Sequence, residues 1–122
     1  AVAEIRKAKQ DFADENLFGK LAKWHGERTR WILDAWTGMW LSDEFKHWTL
    51  DAYLTQIHSP LLAIHGESDE YGSCASPRHI IQSVRGPAKM EIIPASGHFP
   101  HRENQEKIVS LVCDFLEGNQ IS

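Results

Sequence analysis

Apolar positions in the first fifty residues recur every three or four places. Val2, Ile5, Ala8 and Phe12 form one series, and after the polar break Asp14-Glu15-Asn16 the spacing resumes through Leu17, Leu21, Trp24, Trp31 and Ala35. Side chains spaced this way lie along one face of a helix, so the pattern predicts amphipathic helices with interruptions. Gly19, Gly26 and Gly38 soften the boundaries, since each costs about 1 kcal/mol relative to Ala inside a helix. A further helix is expected near Ser42-Asp43, where either side chain can cap, running through Phe45 and Trp48. A short one then carries Leu50, Tyr53, Leu54 and Ile57 to the stop at Pro60.

Beyond Pro60 the period changes. Leu61-Leu62-Ala63-Ile64-His65 is a continuous apolar run between Pro60 and Gly66, the pattern of a strand buried on both faces of a parallel sheet. A polar loop, 66–77, follows, then a helix expected over 78–84 that ends at Arg85-Gly86-Pro87, then a strand over Met90-Glu91-Ile92-Ile93 before Pro94. Ile108, Leu111, Val112, Phe115 and Leu116 form one stripe of a last helix that Gly118 closes. The order β-α-β-α implies two parallel strands joined by a right-handed crossover, hence an α/β fold class for this part. All five tryptophans precede residue 59 and all five prolines follow it. The chain therefore reads as a helical region, 1–56, and an α/β region, 57–122.

Composition narrows the function classes. A chain of 122 residues with 42% hydrophobic and 25% charged residues has the balance of one ordinary folded domain. Residues 1–50 hold eight basic and eight acidic side chains, so the net charge of −4 resides entirely in residues 51–122. An acidic second half gives no electrostatic reason to expect nucleic acid or an anionic membrane as partner. No apolar stretch approaches the roughly 20 residues of a membrane span, and the first residues lack the apolar core of a secretory signal, so a cytoplasmic location is expected. Cys74 and Cys113 lack the density of a disulfide scaffold and the spacing of a zinc or redox motif, and are read as reduced, structural residues. The chain starts without Met inside a predicted helix, as a segment excised from a longer protein would.

Two loops leave the C-terminal ends of the predicted strands, the edge where ligands and catalytic groups gather in open α/β sheets. One is Gly66-Glu67-Ser68-Asp69-Glu70-Tyr71-Gly72 and the other runs from Ala95 to Glu103. Asp69 and His98 are the candidate pair: a carboxylate bonded to one ring nitrogen leaves the other free as a general base. Each has a plainer alternative. Asp69 could form a turn, with Glu67 and Glu70 as rival carboxylates, and His98 could bond only to backbone. His101 and Glu103 are read as shaping the start of the last helix, where an acidic side chain is favourable. His25, His47, His58, His65 and His79 take surface or packing roles, and the tryptophans take core packing.

The segment Ile57-His58-Ser59-Pro60-Leu61-Leu62-Ala63-Ile64-His65-Gly66-Glu67-Ser68-Asp69, with Ser96-Gly97-His98-Phe99-Pro100-His101-Arg102-Glu103 and the terminal helix bearing Asp114-Phe115-Leu116, resembles the C-terminal part of an α/β-hydrolase. That resemblance covers residues 57–116 and implies that Asp69 is the triad acid and His98 the triad base. Residues 1–56 occupy the position of the helical cap that many members insert before the penultimate strand. The resemblance further implies acyl transfer to water on a small-molecule, ester-like substrate, with no organic cofactor. The triad order places the serine upstream on a G-x-S-x-G elbow. No such pentapeptide occurs in the chain, and Ser68, Ser73, Ser76 and Ser96 lack the flanking glycines. The chain is therefore expected to carry acid and base without the nucleophile, and to be inactive alone.

Two readings compete: a non-catalytic helical module that binds a partner through its Trp-rich face, and a metal site built from His98, His101, Glu103 and His65, whose spacing matches no H-E-x-x-H pattern. A two-stranded parallel sheet also leaves edges and faces to cover. The edge of 61–65, or the face of the last helix, is expected to be covered by the missing N-terminal half, a second copy or the Trp-rich helices.

Overall fold

A computed structural model describes residues 1–119, which form two compact units, Ala1–Trp48 and a second that begins at Thr49. The first unit is helical. Helix α1 (Val2–Asp11) buries Ile5 and Ala8 and packs on α3 (Thr29–Trp40), which buries Thr29, Leu33 and Thr37. Between them, α2 (Glu15–His25) starts where Asp14 Oδ1 accepts the backbone N–H groups of Asn16 (2.8 Å) and Leu17 (3.2 Å), satisfying two donors that a helix start leaves unpaired. Gly26, at φ +56°, ends α2 in the left-handed region that favours glycine.

The buried face of α3 differs from the expected Trp31/Ala35 series. Thr29 Oγ1 donates to the Gly26 carbonyl (2.6 Å) and Thr37 Oγ1 to the Leu33 carbonyl (2.8 Å). With both hydroxyls bonded to backbone, these small side chains can be buried against α1. Four of the five indoles do not take the core-packing role: Trp24 is 84% exposed and Trp31 71% exposed, Trp40 and Trp48 are also exposed, and Trp36 alone is half-buried.

The helix expected from Ser42 through Trp48 is instead a series of turns, with Lys46 N–H bonding to Asp43 O and Trp48 N–H to Phe45 O. Phe45 here packs edge-on against Trp40 and stacks on Trp48, with ring centroids 5.0 and 4.9 Å apart.

The second unit has mixed helix and strand. The short helix α4 (Asp51–Leu54) buries Leu54 and packs on α5 (Ala75–Ser83), so this segment belongs with the second compact unit. Strands β1 (Leu61–Gly66) and β2 (Ala88–Ile93) pair in parallel, Leu61 opposite Ala88 through Gly66 opposite Ile93, and α5 packs against both. The helix α5 begins three residues before its expected start, and β2 two residues before. The chain entering β1 runs tightly beside the chain entering β2. Arg85 and Gly86 N–H both bond to the Ile57 carbonyl, and a Cβ on Gly86 would overlap the His58 carbonyl.

After β2 come α6 (Pro100–Glu103) and α7 (Gln105–Gly118), which pack on each other. Of the two paired strands only Gly66 and Ile93 are fully buried, the rest of β1 being half-buried. The expected burial of β1 on both faces is therefore not reached, because two strands and their helices supply only part of the required cover. In α7, Ile108, Leu111 and Phe115 are half-buried while Val112 and Leu116 are exposed. Cys74 and Cys113 are free thiols; Cys113 is exposed and packs into no core. Among the described residues no helix is long and apolar enough to cross a membrane.

Candidate active site

The parallel pairing sets the ends of β1 and β2 side by side, so the loops that leave them run together. Backbone bonds join the loops directly: Glu67 N–H to the Ile93 carbonyl (2.9 Å) and Ser68 N–H to the Ser96 carbonyl (2.8 Å). The approach requires Gly66, because a Cβ there would overlap the carbonyls of Gly97 and Ser96. Ala95, at φ +56°, turns the chain sharply between β2 and the second loop.

Asp69 follows a turn closed by its own N–H on the Gly66 carbonyl, and its Oδ1 accepts Tyr71 N–H at 2.8 Å. This is the turn-forming role open to any Asp, but the carboxylate has a second partner. His98 Nδ1 lies 3.0 Å from Oδ2 and 3.1 Å from Oδ1. Of the three carboxylates in this loop, Asp69 is the one bonded to His98; Glu67 accepts Ala95 N–H at 3.4 Å. Burial pushes the Asp69 carboxyl up, and the bonds from His98 and from Tyr71 N–H outweigh it, so the group titrates below the usual aspartate range. The carboxylate is thus an acceptor only. Nδ1 must then hold the ring proton, and in the neutral imidazole Nε2 is left as the basic nitrogen.

The pair is asymmetric in exposure, the Asp69 side chain being 7% exposed and that of His98 44%. Tyr71 and Phe99 meet the His98 ring edge-on, at centroid distances of 5.0 and 5.1 Å. A cavity of about 310 Å³ opens beside the pair, lined among others by Ile64, His65, Tyr71 and Pro100. A cavity of about 330 Å³ in the first unit is walled by Trp40, Phe45 and Trp48, with Arg6, Asp43 and Lys46 also lining it.

Two contributions escape a reading by sequence spacing. His65, expected to take a surface or packing role, bonds through Nε2 to the Gly72 carbonyl (2.8 Å) and so ties down the loop that carries Asp69. A carbonyl only accepts, so this nitrogen is the donor; it lies 3.7 Å from Asp69 Oδ2. Glu103, expected to shape a helix start, turns its carboxylate back to Ser96 Oγ (2.9 Å) and Gly97 N (2.6 Å). Its position three residues into a Pro100-initiated turn was the available signal, but the target of the side chain was not. His101 instead packs its ring against Phe99. Among the described residues no three His, Cys, Asp or Glu side chains converge as a metal site. No protein-family model, curated protein or solved structure matches the chain.

Proposed function

We propose that this chain carries the acid and base of an α/β-hydrolase, with Asp69 and His98 as two members of a Ser-His-Asp triad acting on ester-like substrates. The observation that carries the reading is the Asp69 carboxylate on His98 Nδ1, at loops leaving adjacent C-terminal ends of parallel strands. In the assembled enzyme Nε2 takes the proton of a serine hydroxyl as the serine oxygen attacks the substrate carbonyl. Asp69 keeps the proton on Nδ1 and stabilises the imidazolium. His98 returns the Nε2 proton to the leaving alcohol, and the cycle repeats with water attacking the acyl-enzyme. The serine belongs to a G-x-S-x-G elbow outside these residues, and the helical first unit stands where a cap is inserted.

Hydrolysis of p-nitrophenyl acetate and labelling by a fluorophosphonate, measured on the wild-type chain and His98→Ala, test this reading. With the nucleophilic serine outside these residues, neither protein should turn over the ester and no serine should be labelled. Turnover by the wild-type chain that persists in His98→Ala would overturn it. Labelling of one serine, abolished in His98→Ala, would overturn the absence of a nucleophile from this chain.

A second reading rests on the exposed indoles of Trp24 and Trp31, which suit the first unit to binding a partner protein.

A further inference from the structure

We infer that Glu103 is a positioning residue for His98: its carboxylate clamps the Ser96–Gly97 turn and thereby fixes where the imidazole stands relative to Asp69. The inference rests on the hydrolase reading and assigns that site a second acidic residue, one that does not touch the reacting atoms.

One carboxylate oxygen, Oε2, accepts both the Ser96 hydroxyl and the Gly97 N–H. These are the two residues immediately before His98. Ser96 is 0% exposed, so its hydroxyl has no water to fall back on, and Glu103 is the acceptor that makes its burial tolerable. The contact leaves little room at Gly97: a Cβ there would lie 3.2 Å from Oε1. Glu103 is itself anchored, its N–H bonding to the Phe99 carbonyl at 3.1 Å. The loop from 96 to 103 is therefore closed on itself by one side chain.

The same turn is gripped from the opposite side. Ser68 N–H, one residue before Asp69, bonds to the Ser96 carbonyl, so Ser96 is tied to the acid loop through its backbone and to Glu103 through its hydroxyl. With its side chain 44% exposed, His98 meets Tyr71 and Phe99 edge-on but is not enclosed by them. Its placement comes from the backbone that precedes it and from Asp69, with Tyr71 and Phe99 bounding the ring. The Gly97 N–H and the Ser96 hydroxyl hold the Glu103 carboxyl below its usual range, which keeps both lone-pair acceptors available at neutral pH.

The test reads the His98 tautomer by long-range proton–nitrogen correlation spectra of the imidazole rings, with the Gly97 amide followed in the same samples. In the wild-type chain His98 should be in the Nδ1–H form, and Asp69→Asn should lose it. Glu103→Ala should shift His98 to a mixture containing the Nε2–H form and speed exchange of the Gly97 amide. Glu103→Gln, which retains an acceptor oxygen at the same reach, should keep the Nδ1–H form. Glu103→Asp keeps the charge but is one methylene too short, so it should behave as Glu103→Ala does and carries the test if the alanine variant does not fold. An unaltered Nδ1–H tautomer in Glu103→Ala or Glu103→Asp overturns the positioning role alone. A wild-type His98 outside the Nδ1–H form, or one unaffected by Asp69→Asn, overturns the Asp69 pairing, the hydrolase reading and this inference together.

Discussion

His98 Nδ1 stands 3.0 Å from Asp69 Oδ2 although the two residues are 29 positions apart in the chain. Nothing local brings them together; the parallel register of β1 and β2 does. Asp69→Asn should therefore separate structure from chemistry. The amide oxygen can still accept Tyr71 N–H, so the stability cost should be modest, about 1 kcal/mol by urea unfolding. In the assembled enzyme, loss of correct proton placement on His98 should lower kcat by about 10²-fold or more, the scale of general acid–base catalysis. A large loss of stability with unchanged kcat would instead make Asp69 a turn residue.

How much of this was legible depended on range. The apolar run 61–65, the Gly86-Pro87 stop and the second strand specify a parallel pair, and that pair alone places the Asp69 and His98 loops together. The polar break at Asp14-Glu15-Asn16 was visible as an interruption, but that Asp14 caps α2 shows only in the structure. The spacing could not show which face of α3 is buried, because Trp31/Ala35 and Thr29/Leu33/Thr37 are both helical series. Thr29 and Thr37 win once their hydroxyls find backbone carbonyls. Nor could it show that aromatic packing around Phe45 replaces a helix at 42–48, or that Glu103 reaches back seven residues to Ser96. These are decisions of tertiary structure.

Acid should weaken the second unit through two carboxyls. Asp69 and Glu103 both titrate below their ordinary values in the folded chain, for the bonding reasons given above. A carboxyl whose folded pKa is depressed contributes stability that is present above the unfolded value, about 4, and lost as pH falls through the folded value. Urea midpoints should thus be flat near neutrality and fall below about pH 4. Asp69→Asn and Glu103→Gln should each shallow that fall; an unchanged slope in both would mean that neither bond persists in solution.

Asp14→Ala removes the acceptor for two N–H groups at the start of α2, and should cost the first unit about 1 kcal/mol. Its His98 tautomer should match wild type, because Asp69 and His98 both lie in the second unit. Parallel loss of both properties would show the units to be coupled.

The two glycines at the loop crossing should respond in a fixed order. A Cβ on Gly66 would overlap the carbonyl oxygens of Gly97 and Ser96, which are backbone atoms locked by the Ser68 N–H bond and cannot step aside without moving the His98 loop. A Cβ on Gly97 meets the Glu103 carboxylate at 3.2 Å, the end of a side chain that can give by a few tenths of an ångström. Gly66→Ala should accordingly cost about 1–3 kcal/mol in stability, the scale of overpacking, and displace His98 from Asp69. Gly97→Ala should cost less and disturb the tautomer of His98 only as far as it loosens the Glu103 clamp. The reverse order, with Gly97→Ala the more damaging, would mean that the loops cross elsewhere and that Gly66 is not the point of closest approach.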